Sequence, residues 1–174
     1  MIYYSDGELT IRTMTEADAH AIAAGEQAQG YDTTPDRFLS RLQEQEEGTC
    51  VAIAAEYGGQ IAGYIHVYPD SKWGPLGGQG CPEIVDFGVL EKFRRRGVGT
   101  RLMDAAEAVA GKLAGLVYLA VGLHKFYGPA QRLYARRGYI PDGSGVWYGD
   151  KPCEPHKSYC NDDELNLYLV RKLR

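Results

Sequence analysis

The chain has 174 residues, 44% of them hydrophobic and 24% charged, with a formal net charge of −4. That length suits one domain with a full core, residues 1–174, and the balance of residue types excludes a disordered chain. No apolar run approaches the roughly 20 residues that span a bilayer, and an acidic chain binds nucleic acid poorly, so neither membrane nor nucleic acid is expected as a partner.

The N-terminus, Met1-Ile2-Tyr3-Tyr4-Ser5-Asp6, lacks the shape of a signal peptide, and a cytoplasmic location is expected. Cys50, Cys81, Cys153 and Cys160 form no tight framework and suit a reduced compartment. Cys153, His156 and Cys160 offer three ligands without a fourth, so no metal site is expected.

In chain order, Leu9 to Met14 alternates apolar and polar residues as a strand does. Thr15 then reads as an N-cap, with Asp18 at the third helical position, and the helix continues to about Gln29 before Gly30. Thr34-Pro35 starts a second helix, with Phe38, Leu39 and Leu42 on one face, which ends near Gly48. Strands from Cys50 to Glu56 and from Gln60 to Tyr68 flank a Tyr57-Gly58-Gly59 hairpin turn. Pro69 to Pro82 is rich in Pro and Gly and reads as a loop.

The next strand runs from Glu83 to Leu90. Period-two alternation sets Glu83, Val85, Phe87 and Val89 on one face, and Ile84, Asp86 and Gly88 on the other. A helical pattern reaches Ala114, with Leu102, Ala105, Ala106, Val109 and Leu113 on a common face. Leu116 to Val121 suits a strand buried on both sides. A helix from Gly128 to Arg137 stops at Gly138, and Tyr139-Ile140 begins another strand. A polar loop then leads to the closing strand, Leu165 to Lys172. The order βααβββαβαββ predicts a single α/β domain around a mixed, mostly antiparallel sheet flanked by helices.

Between the Glu83 strand and the long helix lies Phe93-Arg94-Arg95-Arg96-Gly97-Val98-Gly99-Thr100. A strand, a turn of Arg and Gly, and a helix together present backbone N–H groups and cationic side chains to a phosphate. The Gly-Lys-Ser/Thr ending of a P-loop is absent, and Gly97 and Gly99 do not continue as a dinucleotide-binding Gly-x-Gly-x-x-Gly. A nucleotide-binding protein is therefore disfavoured.

Arg94-x-x-Gly97-x-Gly99, set after Asp86-Phe87-Gly88-Val89, resembles the pyrophosphate loop of the GNAT family, the Gcn5-related N-acetyltransferases. A second stretch, Tyr127 to Tyr139, is similar to that family's Asn-x-x-Ala-x-x-Leu-Tyr-x-x-x-Gly-Phe, with Tyr127 where Asn is frequent and Tyr139 in place of Phe. The element order resembles the family's across nearly the whole chain. The resemblance implies an acetyl-CoA-dependent N-acetyltransferase in which a primary amine of a small molecule or peptide attacks directly. It implies that Phe87, Gly88 and Val89 offer backbone groups to the pantetheine arm of acetyl-CoA. Arg94, Arg95, Arg96, Gly97, Val98, Gly99 and Thr100 would hold the pyrophosphate, with Tyr127 also near the cofactor. Tyr134 corresponds to the tyrosine that protonates the leaving thiolate in many members.

Glu83, at a position some members use for the general base, and Asp86, a carboxylate inside an apolar strand, are both candidates to take the amine proton or hold an ammonium group. His66 and His124 are expected to be structural, with His124 a possible proton relay. Substrate walls are expected from Tyr31 and Asp32, from the 72–80 loop, and from Trp147, Tyr148, Tyr159 and the run Asp162-Asp163-Glu164. The resemblance is also compatible with a homodimer. The competing reading is a non-catalytic coenzyme A-binding or sensing module with the same fold.

Overall fold

In the computed structural model, residues 1–173 are described. The elements follow as β1 (Ile2–Ser5), β2 (Leu9–Thr13), α1 (Glu16–Ala28), α2 (Pro35–Glu46), β3 (Val51–Tyr57), β4 (Gln60–Tyr68), β5 (Glu83–Val89), α3 (Val98–Gly111), β6 (Leu116–Gly122), α4 (Gly128–Arg136), β7 (Ile140–Tyr148), β8 (Lys151–Pro152) and β9 (Leu165–Lys172). All strands join one sheet in the order β1-β2-β3-β4-β5-β6-β9-β7-β8. Among the described residues only the β5–β6 pair is parallel, because α3 carries the chain across between them. The expected mixed, mostly antiparallel α/β architecture is what the chain adopts.

Alternation along β3 builds both faces of this sheet. Ile53 and Ala55 join a core with Ile65, Val67, Ile84, Leu119 and the α3 residues Leu102, Met103 and Ala106. Ala52 and Ala54 face the other way, onto Ile22 of α1 and Phe38 of α2. Phe38 has no exposed surface and meets Tyr64 edge-on at 4.9 Å between ring centroids, which pins α2 to the sheet. Burial of such a ring is worth about 1.5–3 kcal/mol. The Asp18 carboxylate accepts the Thr15 N–H at 2.8 Å, as the capping pattern requires, and Pro35 occupies the first turn of α2.

Several boundaries differ from the sequence reading. β1 and β8 add two short strands to the expected order. The strand that begins at Ile140 continues to Tyr148 as β7, so the expected loop starts only after it, and β7 pairs with β9 on either side of an irregularity between Pro141 and Val146. Gly143 and Gly145 take positive φ inside that irregularity, so the residues that resemble a turn bend a strand instead. α3 ends at Gly111, before Leu113, which is consequently exposed rather than part of the core face. Cys50 and Cys81 are buried, while Cys153 is partly buried and Cys160 exposed. Among the described residues no three His, Cys, Asp or Glu side chains gather as metal ligands, and no helix is long and apolar enough to cross a membrane.

Candidate active site

The site is organised by an irregularity in β5. Tyr64 of β4 faces Gly88 and His66 faces Val85, so β5 spends three steps where β4 spends two. The extra residue is accommodated at Asp86, whose φ of 50° lies in the left-handed region that Asp tolerates better than most side chains. A bulge resets the alternation. Glu83 lies opposite Tyr68, and Asp86 is reached by side chains of α2, whereas Phe87 turns to the other face against Tyr134 of α4. Strict alternation separates Glu83 from Asp86 and joins it to Phe87. The bulge does the reverse.

The same strand parts from β6. Their ladder consists of Glu83 opposite Tyr118 and Ile84 opposite Leu119, while β6 pairs with β9 from Leu116 to Gly122. From Asp86 onward the β5 backbone has left β6, opening a wedge between two strands of one sheet. The chain then turns into α3, whose N-cap is Gly97 with φ 81° and no capping side chain. Its first-turn N–H groups therefore lack a side-chain acceptor, an arrangement suited to an anion.

Arg94, Arg95 and Arg96 are all exposed around this turn. The Arg94 Nε donates to the Val89 carbonyl at 3.3 Å, Arg95 takes a positive φ of 64°, and the Arg96 guanidinium lies 5.3 Å from the Tyr57 ring centre. Val98 is buried and Thr100 exposed. A Cβ on Gly99 would lie 3.1 Å from Phe87 Cζ, so glycine lets α3 press against β5.

Glu83 is 3% exposed, and its Oε2 accepts the Ser71 hydroxyl. Burial pushes its carboxyl up to about 7, aided by the negative charge of Asp86 and opposed by the hydroxyls of Ser71 and Tyr118. Asp86 receives Arg37 Nη2 at 2.7 Å and Arg41 Nε at 3.0 Å, with His66 Nδ1 3.4 Å away. Burial alone would raise the Asp86 carboxyl. His66 and the guanidiniums outweigh it and hold Asp86 well below the usual carboxylate range. His66 is fully buried, and burial lowers its own pKa, which keeps the ring neutral at pH 7.

Tyr134 is 5% exposed, and its ring centre lies 6.3 Å from that of Phe87 and 5.7 Å from that of Tyr139. Burial raises its phenol well above the ordinary tyrosine value, so it stays protonated. Tyr127 stands at the far end of β6, its ring against Gly122 and its hydroxyl donating to Asp163 at 3.0 Å. The same Asp163 oxygen lies 2.7 Å from His124 Nε2. Burial, and next the Asp163 hydrogen bond, push the Tyr127 phenol up to about 12.

A family model described as the acetyltransferase (GNAT) family matches residues 16–139. The chain belongs to the GNAT family. An N-alpha-acetyltransferase from Sulfurisphaera tokodaii is 34% identical to this GNAT chain over 110 residues, 59% of this chain and 62% of that protein. The match thus spans less than two thirds of that relative. Ard1 from Thermoplasma volcanium superposes with a TM-score of 0.69 at 21% identity, covering 96% of this chain and 99% of that one. The N-acetyltransferase from Staphylococcus aureus Mu50 gives 0.72 at 16% identity, with 97% and 100% covered. The structure of yncA from Salmonella typhimurium with its cofactor acetyl-CoA gives 0.69 at 15% identity, with 97% and 95% covered. At these identities the likeness is one of fold.

Several residues of the GNAT site escaped the sequence reading. Arg37 and Arg41 stand four apart on α2, the spacing of one helix face, but nothing nearby in sequence points to their partner. Ser71 sits in the loop before β5, and Tyr118 reads as one apolar residue among several in β6. Of the expected walls, Trp73 and Tyr31 are 64% and 54% exposed. The acidic run is engaged within the chain: Asp162 accepts Tyr148 at 2.9 Å, and Asp163 binds His124 and Tyr127.

Proposed function

We propose that this GNAT chain is an acetyl-CoA-dependent N-acetyltransferase acting on a primary amine of a small molecule or peptide by direct attack, with Glu83 as general base and Tyr134 as general acid. The observation that carries the reading is Glu83, a buried carboxylate without a cationic partner among the described residues, beside Ile84, the last β5 residue paired with β6. A base poised near neutrality can take a proton from an ammonium or attacking amine and release it again. The name of the Sulfurisphaera relative and the acetyl-CoA in the yncA structure support the same reading.

The residues present fit acetyl-CoA. An uncapped helix start, three exposed arginines and the close-set Gly99 suit a pyrophosphate at Arg94 to Thr100. Phe87, Gly88 and Val89 lie beyond the end of the β5–β6 ladder, so this stretch of β5 has no β6 partner on that edge and suits an extended amide-bearing arm there. Tyr127 closes the opposite side of the wedge. Bound acetyl-CoA supplies an activated acetyl carbonyl. The β5 backbone N–H groups stabilise negative charge on that carbonyl oxygen. Glu83 accepts the amine proton, and the Tyr134 phenol, neutral because it is buried, donates its proton to the departing sulfur. Asp86 does none of this. Locked between Arg37 and Arg41, it holds the bulge and α2 in register.

Thermal unfolding with acetyl-CoA tests the cofactor assignment. Ligand at about 100 times its Kd adds about 2.7 kcal/mol, a rise of several degrees in Tm for a chain of this size. No rise at millimolar acetyl-CoA overturns it. A rise without thiol release over a panel of small amines and peptides favours the binding module instead.

A further inference from the structure

We propose that Ser71 is the positioning residue for Glu83, delivered by the 69–82 loop to fix one carboxylate oxygen and leave the other to take the substrate proton. The inference rests on the base role proposed for Glu83.

The loop between β4 and β5 has no regular secondary structure, yet Ser71 within it is 2% exposed. Its hydroxyl accepts the Trp73 N–H at 3.2 Å, which directs the single O–H proton toward Glu83 Oε2. The loop is fastened on both sides of this contact. The Gly78 N–H donates to the Ser71 carbonyl at 2.7 Å, and the Tyr118 hydroxyl donates to the Trp73 carbonyl at 2.7 Å. Gly74, at φ 71°, lies so close to Tyr168 that a Cβ would come within 2.4 Å of its ring. The combined effect is to set one hydroxyl on one carboxylate.

The titratable groups that face Glu83 are Asp86 on its own strand, Cys81 at the end of the loop, Tyr68 on β4, Tyr118 on β6 and Tyr168 on β9. None is a cation. The charged form of Glu83 is therefore favoured by hydroxyl donors alone, and Ser71 is the one that makes a full hydrogen bond. Removing it disfavours the carboxylate, so the carboxyl holds its proton to higher pH. Its basic form is then scarce at neutral pH, which lowers kcat, while binding of acetyl-CoA on the Arg94 to Thr100 side is untouched.

The experiment pairs a titration with kinetics in the full chain. The Glu83 side-chain carboxyl is followed by carbon-13 NMR in the free protein, assigned by its loss in Glu83→Gln, beside the pH profile of acetyl-CoA-dependent amine acetylation. Ser71→Ala is expected to raise the Glu83 midpoint by about one pH unit and lower kcat at pH 7 about fivefold, with recovery at alkaline pH and KM for acetyl-CoA unchanged. Ser71→Thr, which keeps the hydroxyl, restores the wild-type midpoint. Tyr118→Phe, which removes the second hydroxyl beside Glu83 and the tie to the Trp73 carbonyl while keeping the Ser71 hydroxyl, gives a smaller shift of the same sign. An unmoved Glu83 midpoint in folded Ser71→Ala overturns the proposal. A moved midpoint with an unmoved activity profile upholds the Ser71 contact and removes the base role of Glu83.

Discussion

Glu83 and Asp86 stand three residues apart on one strand, brought to one face by a bulge, and both are largely withdrawn from water. Their carboxyls are nevertheless driven in opposite directions, Glu83 up to about 7 and Asp86 well below the ordinary range. Burial raises both, so burial does not separate them. The donors do: two guanidiniums of α2 reach Asp86, whereas Glu83 meets hydroxyls. A carboxylate paired with fixed cations keeps its charge and serves as a strap. One held by neutral donors can change charge near pH 7 and serve as a base.

The contrast is broken most forcefully in turnover. Glu83→Gln is expected to lower kcat about a thousandfold, as loss of a general base does, while the rise in Tm with acetyl-CoA persists. Asp86→Asn, compared per folded molecule, is expected to lower kcat by far less. Steady-state kinetics on both variants with one amine decides between them, and equal losses would erase the distinction.

Stability gives the same contrast with opposite signs. The folded Glu83 carboxyl titrates above its ordinary 4.5, so its contribution is full below that value and lost as pH rises through about 7. Glu83→Gln is therefore expected to stabilise the fold at pH 8, by about 3 kcal/mol at most, and to add nothing near pH 4. Tm against pH checks this. Asp86 is depressed, so its contribution is present above the ordinary value of 3.8 and lost as pH falls through the folded value. Asp86→Asn, which keeps the tolerance for positive φ, is expected to cost about 2 kcal/mol at pH 7, moderated because Arg37 is half exposed. That deficit narrows in acid, and urea unfolding at two pH values measures it. The smallest effect isolates proton donation from proton acceptance: Tyr134→Phe is expected to slow turnover about tenfold with affinity for acetyl-CoA unchanged.

Sequence made one half of the site more legible than the other. The Arg94 to Thr100 turn and the α3 start are local, written in adjacent residues whose geometry follows from Gly and Arg chemistry. Tyr134 came from the resemblance of the Tyr127 to Tyr139 stretch to the GNAT motif. The Glu83–Asp86 pairing depends on a bulge, and Glu83 to Val89 contains nothing to announce one, since Asp is compatible with the left-handed region without requiring it. Arg37 and Arg41 resemble a solvated helix face until α2 is packed, and Ser71 resembles any loop serine until its loop is folded over β5. In β7, Gly143 and Gly145 imitate a turn because a strand irregularity and a turn demand the same backbone freedom. What escaped is long-range.

In the proposed mechanism Glu83 is the group whose ionisation controls amine acetylation. Its most direct test is the pH dependence of kcat/KM in the wild type and in Glu83→Gln, with the same amine and saturating acetyl-CoA. An acid limb near pH 7 is expected in the wild type and is expected to disappear in the variant, leaving a low activity without that inflection. An acid limb retained at the same pH in Glu83→Gln would contradict it.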